Sequence, residues 1–248
     1  MVAYALTYFN VAGRAELIRL LFIVSGTLFT DNRIESAQWP ALKANTTWGS
    51  LPYLEVDGKI LGQSNAIVYY VSNQLGLGGE GEWNRAIVQS IVLATNDIKD
   101  GLSQFVRGDP SLKEKNLSKL KDATIPTILG RAEKVIQVYG SDDYSVGSKL
   151  TVADLALYDT IRQVEANKQT GITNIAANYP RIAKVLAKCG APIDVTELGL
   201  IVGQVMELSG TTYNAALPAS LWDPKRGNCI QCTNTVQDEI ARCRGGQQ

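Results

Sequence analysis

The segment YALTYFNVAGRAELIRLLF, Tyr4 to Phe22, changes its hydrophobic period part-way along. At its start Tyr4, Leu6 and Tyr8 alternate with Ala5 and Thr7, the two-residue period of a strand. A turn is expected at Val11 to Gly13. From Arg14 the spacing becomes helical: Ala15, Ile18, Leu21 and Phe22 share one face, Arg14, Glu16 and Arg19 lie mostly elsewhere, and Gly26 is a natural stop. A strand, a glycine turn and a helix in immediate succession make the opening of an α/β unit. They also leave Tyr8 at the end of the strand.

Working outward, LFTDNRIE offers a second strand, and SAQWPALKANTTWGSLP reads as loop and short helix. YLEVDGKILGQ is a hairpin turning at Asp57-Gly58. Ser64 can then cap a helix from Asn65 to about Leu75. Strand-helix-strand, a long connection, then strand-strand-helix suits a small mixed sheet flanked by helices. GLGGEGEW, with four glycines in eight residues, is a linker. Beyond it, Trp83 to Phe105, Ser111 to Tyr139 and Leu150 to Asn167 have helical periodicity, with Pro126 kinking the middle segment or marking its start. Thr151-Val-Ala-Asp154 is a capping-box variant. The expected class is α+β: a sandwich unit over residues 1–79, an all-helical unit over 80–200, and an extension of little independent core over 201–248.

Composition narrows the chemistry. The 248 residues include 24 Lys plus Arg against 24 Asp plus Glu, so no broad nucleic-acid surface is expected. No signal peptide and no run long enough to span a membrane is visible, and the cytosol is the expected location. The absence of histidine excludes a Ser-His-Asp triad, a Cys-His pair and imidazole metal ligands. Four cysteines are present. Cys229, Cys232 and Cys243 form a C-x-x-C with a third cysteine beyond it, and zinc would need a fourth donor such as Cys189 or an Asp. Because the second paired motif is absent, reduced thiols without a ligand role are the preferred reading and no metal is expected.

Two further motifs carry chemistry. Leu51-Pro52, just before a hairpin strand, fits a cis peptide in a tight turn that leaves the Leu51 backbone able to pair with an extended peptide; alternatively Pro52 simply ends a loop. In GQSNA, Gln63 supplies an amide, and Ser64 stands at a helix N-terminus, where a carboxylate is favoured.

Taken together, LTYFNVAGRAE, DNRIESAQWPALK, LPYLEVDG, GQSNAI and the later LTVADL resemble the cytosolic glutathione transferases, most nearly the sigma class, which includes glutathione-dependent prostaglandin D synthases and lens S-crystallins. The match runs from the start of the chain to about Asp97 and more loosely to about Ala187. The resemblance implies a thioredoxin-like glutathione-binding unit followed by a helical unit that holds the hydrophobic substrate. It assigns Tyr8 as the catalytic hydroxyl, donating to the glutathione sulfur, with Arg14 either adding positive potential beside that sulfur or serving as a structural ion-pair partner. Trp39 and Lys43 would hold the glycyl carboxylate, Leu51 would pair with the cysteinyl backbone before cis-Pro52, and Gln63 and Ser64 would take the γ-glutamyl end. Asp97 would reach that end from the second subunit of a homodimer.

Some positions depart from the pattern. Ser50 replaces a common lysine, Ala12 replaces the arginine of "RGR", Asn96 stands where an acid is frequent, and Gln104 replaces the aromatic of the prostaglandin synthase pocket. The expected function is conjugation of the glutathione thiolate to a small hydrophobic electrophile, with glutathione as co-substrate and no other cofactor. The alternatives are a weakly active or inactive crystallin-like binding protein, or a glutathione-dependent isomerase or peroxidase.

Overall fold

The computed structural model describes residues 2–44, 46–141 and 143–190, which fall within one compact unit. The chain runs β1 (Tyr4–Phe9), α1 (Glu16–Val24), β2 (Thr30–Ile34), α2 (Trp39–Lys43), β3 (Tyr53–Val56), β4 (Lys59–Gly62) and α3 (Ser64–Gln74). The four strands form one sheet in the order β2-β1-β3-β4. β1 and β2 are parallel, a pairing that needs a crossover, and α1 supplies it. β3 runs antiparallel to β1, with Leu6 opposite Leu54, and β4 returns antiparallel to β3. The hairpin turn has positive φ at both Asp57 and Gly58, the twist-matched geometry that an Asp-Gly pair adopts readily. Leu6 and Leu54 are wholly buried together with Ile18, Leu21 and Phe22 of α1 and Ile67 and Val71 of α3. Apolar stripes of the two helices thus close over the sheet, as the N-terminal pattern requires.

Helices make up the rest: α4 (Gly81–Arg107), α5 (Lys113–Ser118), α6 (Ile125–Tyr139), α7 (Val152–Ala166) and α8 (Pro180–Gly190). α7 is buried on almost every side, from Val152 through Leu157 and on to Val164, so it is the central helix. α4 packs along it, and α1 packs on it from the sheet side, making the core continuous. The glycine-rich connection is held in place: the Leu77 carbonyl accepts from the Val152 N–H (2.8 Å). The fold is therefore α+β, a mixed four-stranded sheet with its helices followed by a helical bundle.

Three local expectations change. Ser64 is the first residue of α3 and not its cap; Gln63 holds the cap position at φ +69° without a side-chain cap bond. Arg19 is not on an outer face but 2% exposed. Its guanidinium pairs with Asp31 of β2 (3.0 Å) and Glu16 (3.0 Å), partners that local periodicity cannot see. The stretch 111–139 is not one helix. A short 3-10 turn, α5 and a π turn over Lys119–Thr124 precede α6. Pro126 lies in the first turn of α6, where its missing N–H is not needed, and the wider turn before it relieves the clash its ring makes with the preceding backbone.

The capping box at the start of α7 is fully formed. Asp154 Oδ2 accepts from the Thr151 N–H (2.7 Å) and hydroxyl (2.9 Å), while Oδ1 accepts from the Ser145 N–H (2.6 Å) and hydroxyl (2.7 Å). Burial pushes the Asp154 carboxyl above the usual range, and these four donors oppose that rise. Cys189 on α8 is packed in the core, where burial first and Asp154 second push its thiol up to about 12, so it behaves as a small apolar side chain. Cys229, Cys232 and Cys243, and the extension that carries them, lie outside the described residues. Asp154→Ala removes the helix cap and strands two buried N–H groups, and is expected to lower the unfolding free energy in urea by about 2–4 kcal/mol. A loss below about 0.5 kcal/mol would show that the box is dispensable.

Candidate active site

Tyr8 comes near the end of β1, 5% exposed, and its hydroxyl oxygen faces the turn into α1. That oxygen accepts a long hydrogen bond from the Arg14 N–H (3.4 Å). Among the described residues the hydroxyl donates to no protein group, so its proton is available to a ligand. Gly13 has φ +48°, and a Cβ there would stand 2.7 Å from the Tyr8 oxygen, so a side chain would both strain the turn and collide with the hydroxyl. The glycine at this turn is what lets the backbone approach the phenol.

Beneath the turn lies Arg19. Its Nη1 donates to the carbonyls of Val11 (3.0 Å) and Ala12 (3.5 Å), and its guanidinium carbon is 6.0 Å from the centre of the Tyr8 ring. Burial works against its charge, but the Asp31 and Glu16 carboxylates outweigh burial and hold the guanidinium above its ordinary range. Asp31 also pairs with Arg33 (2.8 Å), which is tied in turn to Asn10 (3.1 Å). The β1–α1 turn is thus fixed from below by buried, paired charges.

Arg14 starts from the same turn and pairs with Asp100 of α4. Asp100 is thus the ion-pair partner that the sequence left unnamed. With its side chains 39% and 49% exposed, the pair adds little stability but sets where the guanidinium rests. A second strut comes from α7, where Gln163 Nε2 donates to the Gly13 carbonyl (3.0 Å).

The other predicted site residues lie on neighbouring segments. Trp39 opens α2, half-buried, with its ring edge-on to Phe9 (6.5 Å), and Phe9 is tilted against Tyr8 (5.7 Å). Lys43 ends the same helix, exposed, its stem lying beside Gly49. The Leu51-Pro52 peptide bond is cis, with Leu51 half-buried and Pro52 buried at the entry to β3. Gln63 is exposed, and its positive φ is seldom adopted by residues other than glycine, a type of strain found at ligand sites. Ser64 is half-buried beside it. Asp97 is exposed on α4, next to Asn96, which donates to Asn65 (2.8 Å) and so joins this part of α4 to the start of α3. No hydrogen bond or ring contact among the described residues joins Lys43, Leu51 or Gln63 to Tyr8.

Arg19, Asp31, Asp100 and Gln163 were missed in the sequence. Only Arg19 left a local trace there, as a lone charge inside the apolar run LIRLLF. Among the described residues no three His, Cys, Asp or Glu side chains converge as a metal site, and no helix is long and apolar enough to cross a membrane.

This architecture is shared with known proteins. Residues 4–73 match the glutathione S-transferase N-terminal domain, and residues 96–192 match the C-terminal domain of the same family. Glutathione S-transferase 1 of Ascaris suum is 39% identical over 170 residues, covering 67% of this chain and 82% of the relative. Hematopoietic prostaglandin D synthase of Gallus gallus is 35% identical over 182 residues, covering 73% and 87%. Among solved structures, the glutathione S-transferase of Ascaris lumbricoides superposes with a TM-score of 0.67 at 33% identity, over 83% of this chain and 97% of that one. The prostaglandin synthase D of Nilaparvata lugens gives 0.68 at 29%, over 82% and 98%. With both domains matched in order, and a sheet and helical bundle arranged as in those structures, the chain belongs to the glutathione S-transferase family.

Proposed function

We propose that this protein is a sigma-class glutathione transferase of the cytosol that ionises the thiol of bound glutathione and directs it at small hydrophobic electrophiles. The observation that carries the reading is the Tyr8 hydroxyl: walled by Gly13, accepting from Arg14 N–H, and with its own proton uncommitted. A hydroxyl so placed donates to a sulfur anion better than to a neutral thiol, and favours the anion accordingly. A free thiol titrates near ~8.5, and lowering that by about two units, roughly 2.7 kcal/mol, fills the thiolate state at neutral pH.

The reaction then needs no base, metal or covalent enzyme intermediate, because the nucleophile arrives with the ligand. The thiol proton leaves to water on binding. With an aryl halide, the sulfur forms a bond to the ring carbon and halide departs. With an enal, the sulfur adds to the β-carbon and water protonates the resulting enolate. Trp39 and Lys43 would anchor the glycyl carboxylate, the Leu51 backbone before Pro52 the cysteinyl unit, and Gln63 with Ser64 the γ-glutamyl end. Holding three parts of the tripeptide leaves its sulfur little freedom, which is the proximity contribution. Arg14, steadied by Asp100, would supply positive potential close to the turn.

A glutathione-dependent prostaglandin isomerase is the second reading, favoured by the similarity to two proteins named as prostaglandin synthases. Gln104, exposed on α4 where that reading expects an aromatic, weighs against it. Product analysis with a prostaglandin endoperoxide separates the two.

Tyr8→Phe is expected to leave the KM for glutathione within about two-fold while lowering kcat with a chromogenic aryl halide about 10²-fold, as loss of one charge-stabilising donor does. Unchanged kcat would refute the assigned role of Tyr8. We also propose a homodimer in which Asp97 of each chain serves the other's γ-glutamyl site; light scattering should give twice the chain mass, and a fully active monomer would contradict it.

A further inference from the structure

The proposed thiolate chemistry runs through one hydroxyl, and that hydroxyl touches one peptide plane, the unit joining Gly13 to Arg14. Its N–H end donates to Tyr8 Oη (3.4 Å) and its C=O end accepts from Gln163 Nε2 (3.0 Å). Gln163 is a part-buried residue of α7, and the other proton of its amide goes to Asp159 Oδ1 (2.8 Å). The second oxygen of Asp159 pairs with Lys99 of α4, the two side chains 2% and 9% exposed. A continuous polar chain therefore runs from α4 through α7 to the peptide that contacts the Tyr8 hydroxyl: Lys99, Asp159, Gln163, Gly13-Arg14, Tyr8.

We propose that Gln163 is a positioning residue for the Tyr8 hydroxyl, acting through the Gly13–Arg14 peptide, and that Lys99 and Asp159 hold Gln163 in the required orientation. The inference rests on the thiolate role proposed for Tyr8.

Two physical arguments carry it. The Asp159 carboxylate and the Gly13 carbonyl both only accept, so both select the nitrogen end of the Gln163 amide, and Asp159 holds that NH₂ within reach of Gly13. Lys99 holds Asp159 in place, because a buried carboxylate without a partner would be costly. At the peptide itself, a hydrogen bond to the carbonyl polarises the amide and strengthens its N–H as a donor. An N–H donated to the phenolic oxygen in turn makes that oxygen's own proton a better donor to sulfur. The bond is long at 3.4 Å, so its contribution depends on how closely the peptide is held against the phenol. Gly13 adds the steric half of the arrangement, since the peptide can lie this close only without a Cβ. The remaining charges around the turn, Arg14 with Asp100 and Arg19 with Asp31 and Glu16, are paired with one another. Among the described residues, the side chain that donates to the Gly13 carbonyl is Gln163.

The test is a titration of the bound glutathione thiol, followed by the ultraviolet absorbance of the thiolate, in wild type, Gln163→Met, Tyr8→Phe and the double variant. Met keeps the length of Gln and removes the donor. Gln163→Met is expected to raise the pH at which the bound thiol ionises and to lower kcat at pH 6.5 about three- to ten-fold, the range carried by one hydrogen bond, with glutathione affinity unchanged. In the double variant the Gln163 substitution adds nothing to Tyr8→Phe, because its effect passes through Tyr8. Should Gln163→Met fold poorly in urea or thermal melts, Asp159→Asn, which removes the charged acceptor that holds the Gln163 NH₂ beside Gly13, is expected to shift the thiol in the same direction by less. If Tyr8→Phe moves the thiol and Gln163→Met does not, or if Gln163→Met moves it equally without Tyr8, the positioning role is overturned while the thiolate reading stands. If Tyr8→Phe itself leaves the thiol unmoved, the thiolate reading fails, and the positioning role with it.

Discussion

The guanidinium of Arg19 lies where α1, β2 and the β1–α1 turn meet, and the geometry around Tyr8 depends on it. Nε donates to both oxygens of Asp31, Nη1 reaches Glu16 and the carbonyls of Val11 and Ala12, and the Tyr8 ring lies 6.0 Å away. A charge so deeply buried is tolerable only when paired and hydrogen-bonded on several sides. Removing it would take one of two arginines from Asp31 and free the Val11 carbonyl, while the Ala12 carbonyl keeps the Glu16 N–H (3.2 Å), so the substitution would act on the site through the turn. The pair is thus a specificity device as much as a stabilising one: it requires the chain to leave β1 along one path.

From above, the same turn is held by the helical bundle. Arg14 pairs with Asp100 of α4, and Gln163 of α7 bonds the Gly13 carbonyl. Two segments nearly a hundred and more residues away in sequence therefore locate a loop of the sheet unit. Their own positions come from the apolar packing of α4, α7 and α1 into one core and from the Asp154 box that starts α7. A hydroxyl supported both by the sheet side and by the bundle can be set to the fraction of an ångström that charge stabilisation needs, without a mobile base nearby.

The fold was legible where local rules govern. The change of period at Tyr8, the Asp57-Gly58 hairpin and Thr151 to Asp154 each specify an element through a few adjacent residues. Local rules misled where the deciding partner is distant. Arg19 has the spacing of a surface charge until Asp31 is brought alongside, and the stretch from Ser111 to Tyr139 keeps helical spacing although a π turn interrupts it. Ser64 has the chemistry of a cap, but the positive φ of Gln63 starts the helix one residue early. At the site, Tyr8 stood out because it lies where a strand ends and a turn, expected at Val11 to Gly13, begins. Gln163 and Asp100 did not, because nothing within α7 or α4 says which loop they will meet.

The central claim is that Tyr8 is the group that meets the sulfur. A crystal structure with glutathione bound tests it most directly. The account predicts the sulfur within about 3.5 Å of the Tyr8 hydroxyl, with the Gly13–Arg14 peptide still against that oxygen and the γ-glutamyl end at Gln63 and Ser64. Glutathione bound with its sulfur remote from Tyr8, whatever else holds the tripeptide, would contradict it.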